Sequence, residues 1–217
     1  MEIIPVTDIM NGIAVSGKSG RREGYTELKT VFADSCDPVE IAKNLPFKRL
    51  YVADLDGIMK GAPNIKMLEE LSRIRQLMVD VGIRNLSDYN RISHLDADII
   101  VGSETLRDFE TLETISRGRQ SIVFSIDIKD REVMSPFLSR DPIETFELLA
   151  GRIKRFIVLN ISSVGTLSAD FSLLQRFKIP DVEVYYGGGI KKENINELKK
   201  IGVSGVLVGT ALHRGLI

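Results

Sequence analysis

Cysteine is nearly absent: Cys36 is the only one in 217 residues, so an internal disulfide is excluded and the chain reads as intracellular, with the cytoplasm as its expected compartment. Histidine is scarce too, and neither Cys36 nor His94 has partners at metal-ligand spacing, so no metal site is expected. His213 reads as a surface or tail residue. No apolar run approaches the roughly 18 residues that span a bilayer, and the N-terminus runs into Ile3-Ile4-Pro5-Val6 without the basic, apolar and small-residue order of a secretion signal. Nor is there an excess of charge: 29 basic against 30 acidic residues give -1, which removes the electrostatic case for nucleic acid and leaves a small molecule as the expected partner.

What is present is ordinary globular composition, 43% hydrophobic and 27% charged, enough to bury a core. Eight short β-branched runs recur, at 3–6, 50–53, 77–81, 98–101, 121–126, 156–159, 182–186 and 205–208. Most are apolar on both alternating faces, as parallel strands covered on both sides must be. Between them lie stripes of helical spacing: Ile65, Leu68, Leu71 and Ile74; Leu106, Phe109, Leu112 and Ile115; Ile195, Leu198 and Ile201. This alternation fits a (β/α)8 TIM barrel or a doubly wound open sheet. An internal repeat favours the barrel. Gly82 and Gly102 are 20 residues apart, as are Gly189 and Gly209, each pair with matching neighbours, which suggests two duplicated half-barrels in one domain over 1–217. After the last strand only Ala211 to Ile217 remain, so the eighth outer helix is expected to be truncated and the exposed groove covered by the tail or by a second copy in a homodimer. The stretch from Asp8 to Asp37 holds Gly12, Gly17, Gly20 and Gly24 with Lys18, Arg21 and Arg22. It reads either as a lid over an anion or as a solvated insertion.

In a parallel barrel, chemistry gathers where strands end, which singles out Asp8, Asp54, Asp56 and Asp127. Asp8 closes the first strand and Asp127 the fifth, so the duplicated geometry sets them on opposite sides of the mouth, one to accept a proton and the other to donate. Gly188, Gly189, Gly209 and Thr210 follow strands seven and eight, where backbone N–H groups commonly hold a phosphate. Gly82, Gly102 and Ser103 form a weaker copy after strands three and four. Together they imply a phosphorylated or bis-phosphorylated substrate. Asp80 stands where a third glycine would complete the weaker cradle, and a carboxylate there repels an anion.

The stretches IIPVTDIMNGIAV, LYVADLDGIMKGAPN, VGIRN, SIDIKD, GTLSADFSLL, YGGGIKK and VGTALHRG extend across essentially the whole chain and resemble the histidine-biosynthesis barrels. That family comprises a phosphoribosylformimino-aminoimidazole carboxamide ribotide isomerase and the cyclase subunit of imidazole glycerol phosphate synthase. Asp54-Leu55-Asp56-Gly57 with Gly61 and Asn64 resembles the isomerase more. The resemblance implies a cofactor-independent Amadori rearrangement, with Asp8 as the base at C2, Asp127 as the acid at the ring oxygen, Asp54 and Asp56 in support, and the two glycine sets on the phosphates. Where the family isomerase has Thr-Asp after strand six, this chain has Leu159-Asn160, leaving Asn160 in the supporting place. Ser16 replaces an arginine, and the tryptophan-bearing loop after strand five is missing from a chain without tryptophan. The sequence is thus similar to a divergent, archaeal-type branch. The expected activity is an aldose–ketose isomerase. The alternatives are a related barrel enzyme on another phosphorylated sugar and a non-catalytic phosphometabolite-binding subunit.

Overall fold

The structure is a computed structural model that describes residues 1–17, 24–118 and 122–217. Its strands in the first half are β1 (Glu2–Met10), β2 (Ile13–Ser16), β3 (Thr26–Glu27), β4 (Arg49–Asp54), β5 (Gln76–Asp80) and β6 (Ala97–Gly102). The second half supplies β7 (Ile122–Lys129), β8 (Glu132–Val133), β9 (Arg155–Asn160), β10 (Glu183–Gly187) and β11 (Gly205–Val208). All eight expected runs fall within or overlap strands. Eight of these strands pair in parallel in the ring order β1, β4, β5, β6, β7, β9, β10, β11. The register from Glu2↔Gly205 to Pro5↔Val208 then joins the last strand to the first. That pairing closes a barrel and removes the open-sheet alternative, since an open sheet keeps two unpaired edges.

Around the ring lie α1 (Pro38–Asn44), α2 (Leu55–Lys60), α3 (Ile65–Ser72), α4 (Leu86–Ile92), α5 (Phe109–Gly118), α6 (Pro142–Ala150), α7 (Ile195–Ile201) and α8 (Thr210–His213). Leu68 and Leu71 of α3, Leu112 and Ile115 of α5, and Leu198 and Ile201 of α7 press onto the outer face of the strands, which is why their helical spacing was legible. Leu106 is buried, but in the turn before α5 rather than on the helix. The strict alternation also fails once: between β9 and β10 the described backbone makes two single 3₁₀ turns, Ile161–Ser163 and Leu174–Arg176, and no α-helix.

The two halves repeat each other in local chemistry. Asp37 caps α1 and Asp141 caps α6, each followed by a proline in the first turn, where a missing N–H costs nothing. Ser35 donates to Glu40 beside the first cap, and Ser139 to Glu144 beside the second. Each follows a strand extended into a short antiparallel hairpin, β1 with β2 and β7 with β8. In the segment expected as a lid, Gly12 occupies the tight β1–β2 turn, while Lys18, Gly20, Arg21 and Arg22 lie outside the described residues.

The truncated eighth helix is present as the four-residue α8, and the segment around Val31 lies against it, with the Val31 N–H donating to the His213 carbonyl at 2.9 Å. His213 is a residue of the tail, as expected, but it is not on the surface. It is buried, its Nε2 bonded to the Val6 carbonyl at 2.8 Å and its Nδ1 to the Thr30 hydroxyl at 2.9 Å. Because a carbonyl can only accept, Nε2 carries the proton and Nδ1 accepts from Thr30. Burial lowers the His213 pKa, consistent with a neutral clamp between tail and barrel.

Inside the barrel the side chains stack in layers, as period-two alternation requires. At the N-terminal end Asp98 binds Arg155 at 2.8 Å and also Arg49, while Arg49 reaches Glu2 at 3.1 Å and the Tyr185 hydroxyl at 3.3 Å. Above this ionic floor sits an apolar plug of Ile4, Tyr51, Met78, Ile100, Val123, Ile157, Tyr185 and Leu207. Asp98 serves two guanidinium groups, so Asp98→Ala removes an ion pair from each, with Arg49 keeping Glu2 and Tyr185, and is expected to cost about 3 kcal/mol, against about 1 kcal/mol for loss of the exposed cap in Asp37→Ala. Urea unfolding of both variants checks the order, and an Asp98→Ala loss no larger than the cap's would contradict the floor's importance.

Candidate active site

At the other end the strands open onto a cavity of about 270 Å³. Asp8 and Asp127 both line it, from strands that stand four places apart in the ring of eight, so the two acids flank one space. Asp8 is half-buried, whereas Asp127 is buried.

Asp127 sits in a dense cage. The Ser125 hydroxyl donates to Oδ1 at 2.6 Å, and the Glu104 N–H and the Ser103 hydroxyl reach Oδ2 at 3.1 and 3.4 Å. Ser103 in turn accepts the Asp127 N–H at 2.9 Å. Such donors stabilise a carboxylate, yet burial outweighs them and, with Asp80 and Glu104 adding negative charge nearby, pushes the Asp127 pKa up to about 7. The side chain therefore keeps its proton up to about pH 7, far above an ordinary carboxyl, the condition for a general acid.

Tyr51, from the apolar plug, forms the floor of the cavity and donates to Asp80 at 3.3 Å. Burial, together with Asp80, Asp127 and Asp8, holds its pKa well above the ordinary value, so it stays a neutral donor. Tyr51 and Ser125 were not among the expected site residues, and Asp80 was expected only as a carboxylate that spoils the weaker cradle. Period-two alternation could have found the first two, since Tyr51 precedes Ala53 on the inner face and Ser125 precedes Asp127 by two. Glu104 and Lys129 also line the cavity.

The two glycine sets differ. Gly188, Gly189, Gly209 and Thr210 all line the cavity, together with Gly187. Gly189 has φ +67°, and a Cβ there would lie 2.5 Å from the Ser168 carbonyl oxygen, so no larger residue lets that loop approach. Of the first set only Gly102 lines the cavity. Gly82 is packed against Ile58, and its N–H donates to Asp80 at 2.9 Å. Ser103 is spent: its N–H bonds the Ser125 carbonyl at 2.9 Å and its hydroxyl belongs to Asp127, so it positions an acid rather than gripping an anion.

The three expected supporting residues do not line the cavity either. Asp54 caps α2, accepting the Gly57 N–H at 3.0 Å and the Asn64 N–H at 2.6 Å. Asp56 accepts the Asn11 N–H at the β1–β2 turn at 2.5 Å and pairs with Lys60 at 2.8 Å. Asn160 packs under Gly188, where an added Cβ would lie 2.5 Å from the Asn160 carbonyl oxygen. These three shape the loops that carry the site. Among the described residues, no three His, Cys, Asp or Glu side chains are grouped to hold a metal ion, and no helix is long and apolar enough to cross a membrane.

A family model described as histidine biosynthesis protein matches residues 2–217. An uncharacterised protein of Methanocaldococcus jannaschii is 34% identical, the match covering 100% of this chain and 95% of that protein. An isomerase of Thermococcus kodakarensis, named for 1-(5-phosphoribosyl)-5-((5-phosphoribosylamino)methylideneamino) imidazole-4-carboxamide, is 32% identical over 100% of this chain and 94% of that protein. An isomerase of the same name from Caldanaerobacter subterraneus is also 32% identical, with the same two coverages, 100% and 94%. A solved structure of a 3-hexulose-6-phosphate synthase superposes with a TM-score of 0.62 over 97% of this chain and 91% of that chain, at 14% identity, a likeness of fold alone.

The raised Asp127 pKa has a consequence for folding. Between the unfolded value near 3.8 and the folded value of about 7 the unfolded chain releases this proton while the native protein keeps it. Stability from this group is therefore full below about pH 4, declines as pH rises and levels off above about 7. Asp127→Asn is expected to flatten that decline, on the order of 1–4 kcal/mol, in urea melts between pH 4 and 8. An unchanged slope in the variant would refute the protonated state.

Proposed function

The chain belongs to the histidine biosynthesis protein family, and from that premise we propose that it is an aldose–ketose isomerase of Amadori type acting on a phosphorylated ribosylamine. The single observation that carries the mechanism is the placement of Asp8 and a protonatable Asp127 on opposite walls of one cavity. Asp127 gives its proton to the ring oxygen as the C1–O bond breaks, and the nitrogen lone pair forms the C1=N bond. Asp8 removes the proton from C2, moving the electron pair into a C1=C2 bond and neutralising the iminium as an enolamine. Ketonisation then moves a proton from Asp8 to C1 while the C2 hydroxyl releases its proton to solvent, from which Asp127 is reprotonated, and the carbonyl is left at C2. C2 is oxidised and C1 reduced within one molecule, so the electrons balance without an external acceptor and the scheme needs no cofactor.

Gly188, Gly189, Gly209 and Thr210 are the residues proposed to hold the phosphate, because they line the cavity and present backbone where a side chain would obstruct an anion. Ser125 holds the Asp127 carboxyl in place, and Tyr51 that of the neighbouring Asp80. The low-dielectric floor built around Tyr51 strengthens each of these interactions.

Two substrates test the reading: the compound for which the relatives are named, and a ribosylamine 5-phosphate whose amine substituent is uncharged. In deuterium oxide the wild type is expected to form ketose labelled at C1 from at least one of them. Asp8→Asn and Asp127→Asn should each lower kcat by about 10²–10⁴-fold with little loss of fold. Activity should also fall as pH rises through about 7, where Asp127 loses its proton. Ketose formation from neither compound, or wild-type rates in both variants, would remove the proposal.

A further inference from the structure

The duplication that built the barrel has been broken at one end of the cavity. The offset that carries Gly82 onto Gly189 and Gly102 onto Gly209 also carries Asp80 onto Gly187 and Glu104 onto Ala211. Asp80, Gly187, Glu104 and Ala211 all line the cavity, so two acids on one side face a glycine and an alanine on the other. The backbone donors on the acidic side are engaged within the protein. Gly82 N–H goes to Asp80, Glu104 N–H to Asp127, Ser103 N–H to the Ser125 carbonyl, and the Thr105 and Leu106 N–H groups to the Gly102 carbonyl.

An anion arriving there would meet two carboxylates and donors already taken. At an effective dielectric near 20, a charge 4–6 Å from each carboxylate is repelled strongly enough to decide binding. The opposite end carries neither carboxylate, Gly187 and Ala211 standing in their places, although the Leu212 and His213 N–H groups bond the Gly209 carbonyl just as Thr105 and Leu106 bond that of Gly102. We propose that Asp80, assisted by Glu104, is a specificity-determining residue that restricts the substrate to one phosphate, held at the Gly188–Gly189 and Gly209–Thr210 side, with a neutral or cationic hydrogen-bond donor at the Asp80 end. The proposal rests on the isomerase reading for what happens between the two ends, and it departs from the relatives, whose printed substrate name carries two phosphoribosyl groups.

The test uses the full chain and binding rather than turnover. Ribulose 5-phosphate and ribulose 1,5-bisphosphate are titrated calorimetrically into wild type, Asp80→Gly and Asp80→Asn, with thermal melts confirming that the variants fold. The wild type is expected to bind the monophosphate at least as tightly as the bisphosphate. Asp80→Gly, which removes the charge and releases the Gly82 N–H, should improve bisphosphate affinity by about tenfold or more and change monophosphate affinity by less than about threefold. Asp80→Asn keeps the size and an acceptor for Gly82, and is expected to recover part of that gain through loss of charge alone.

A wild-type preference of tenfold or more for the bisphosphate, a ratio unmoved by both substitutions, or failure of the wild type to bind either sugar phosphate would each overturn the proposal. Ketose formation is measured separately. If the ratio shifts but no ketose forms, the isomerase chemistry falls and the phosphate count stands; ketose formation with an unmoved ratio removes the phosphate count alone.

Discussion

The pairing of β11 with β1 is the constraint on which the remaining structure depends, because it turns a row of parallel strands into a ring. Once the ring exists, every strand delivers its C-terminal end to the same mouth, and period-two alternation sorts side chains into layers along the axis. The ionic floor around Asp98, the plug around Ile4 and Tyr51, and the carboxyls of Asp80 and Asp127 are successive layers of that one arrangement. Burial then acts on whatever the upper layer contains. Burial above an apolar plug makes the Asp127 charge expensive, and the three hydrogen bonds its carboxyl accepts do not compensate.

The two halves show how one scaffold is kept while its chemistry diverges. The Asp-Pro caps of α1 and α6, with their Ser–Glu braces, are the same device used twice, because each must start a helix after a hairpin extension of a strand. The mouth positions have no such obligation. Gly187 and Asp80 occupy equivalent strand ends, yet one is bare backbone and the other a carboxylate that takes its own Gly82 N–H and a tyrosine hydroxyl. The packing of β5 tolerates the change since the side chain enters the cavity rather than the shell of helices.

Much of the architecture was legible in the sequence. The eight apolar runs became the eight ring strands because burial on both faces leaves no room for a polar alternation, and the equal glycine spacings marked the two halves. The site was legible in part. Asp8 and Asp127 were identified by position at strand ends, and both line the cavity. Asp54, Asp56 and Asn160 share the same kind of position, but a strand-end acid can equally well turn away and cap the next helix, as Asp54 does. Ser103 looked like part of an anion cradle, and only its contacts reveal that it serves Asp127.

Local sequence thus determined the strands, the caps, the repeat and the pair of acids, because those depend on periodicity and residue type within a few positions. It was the tertiary fold that decided which strand ends look inward, which N–H groups remain for an anion, how far Asp127 is removed from water, and that His213 clamps the tail to Val6. Each of these is set by neighbours from distant strands, brought together only when the ring closes, and no single stretch of chain contains that information.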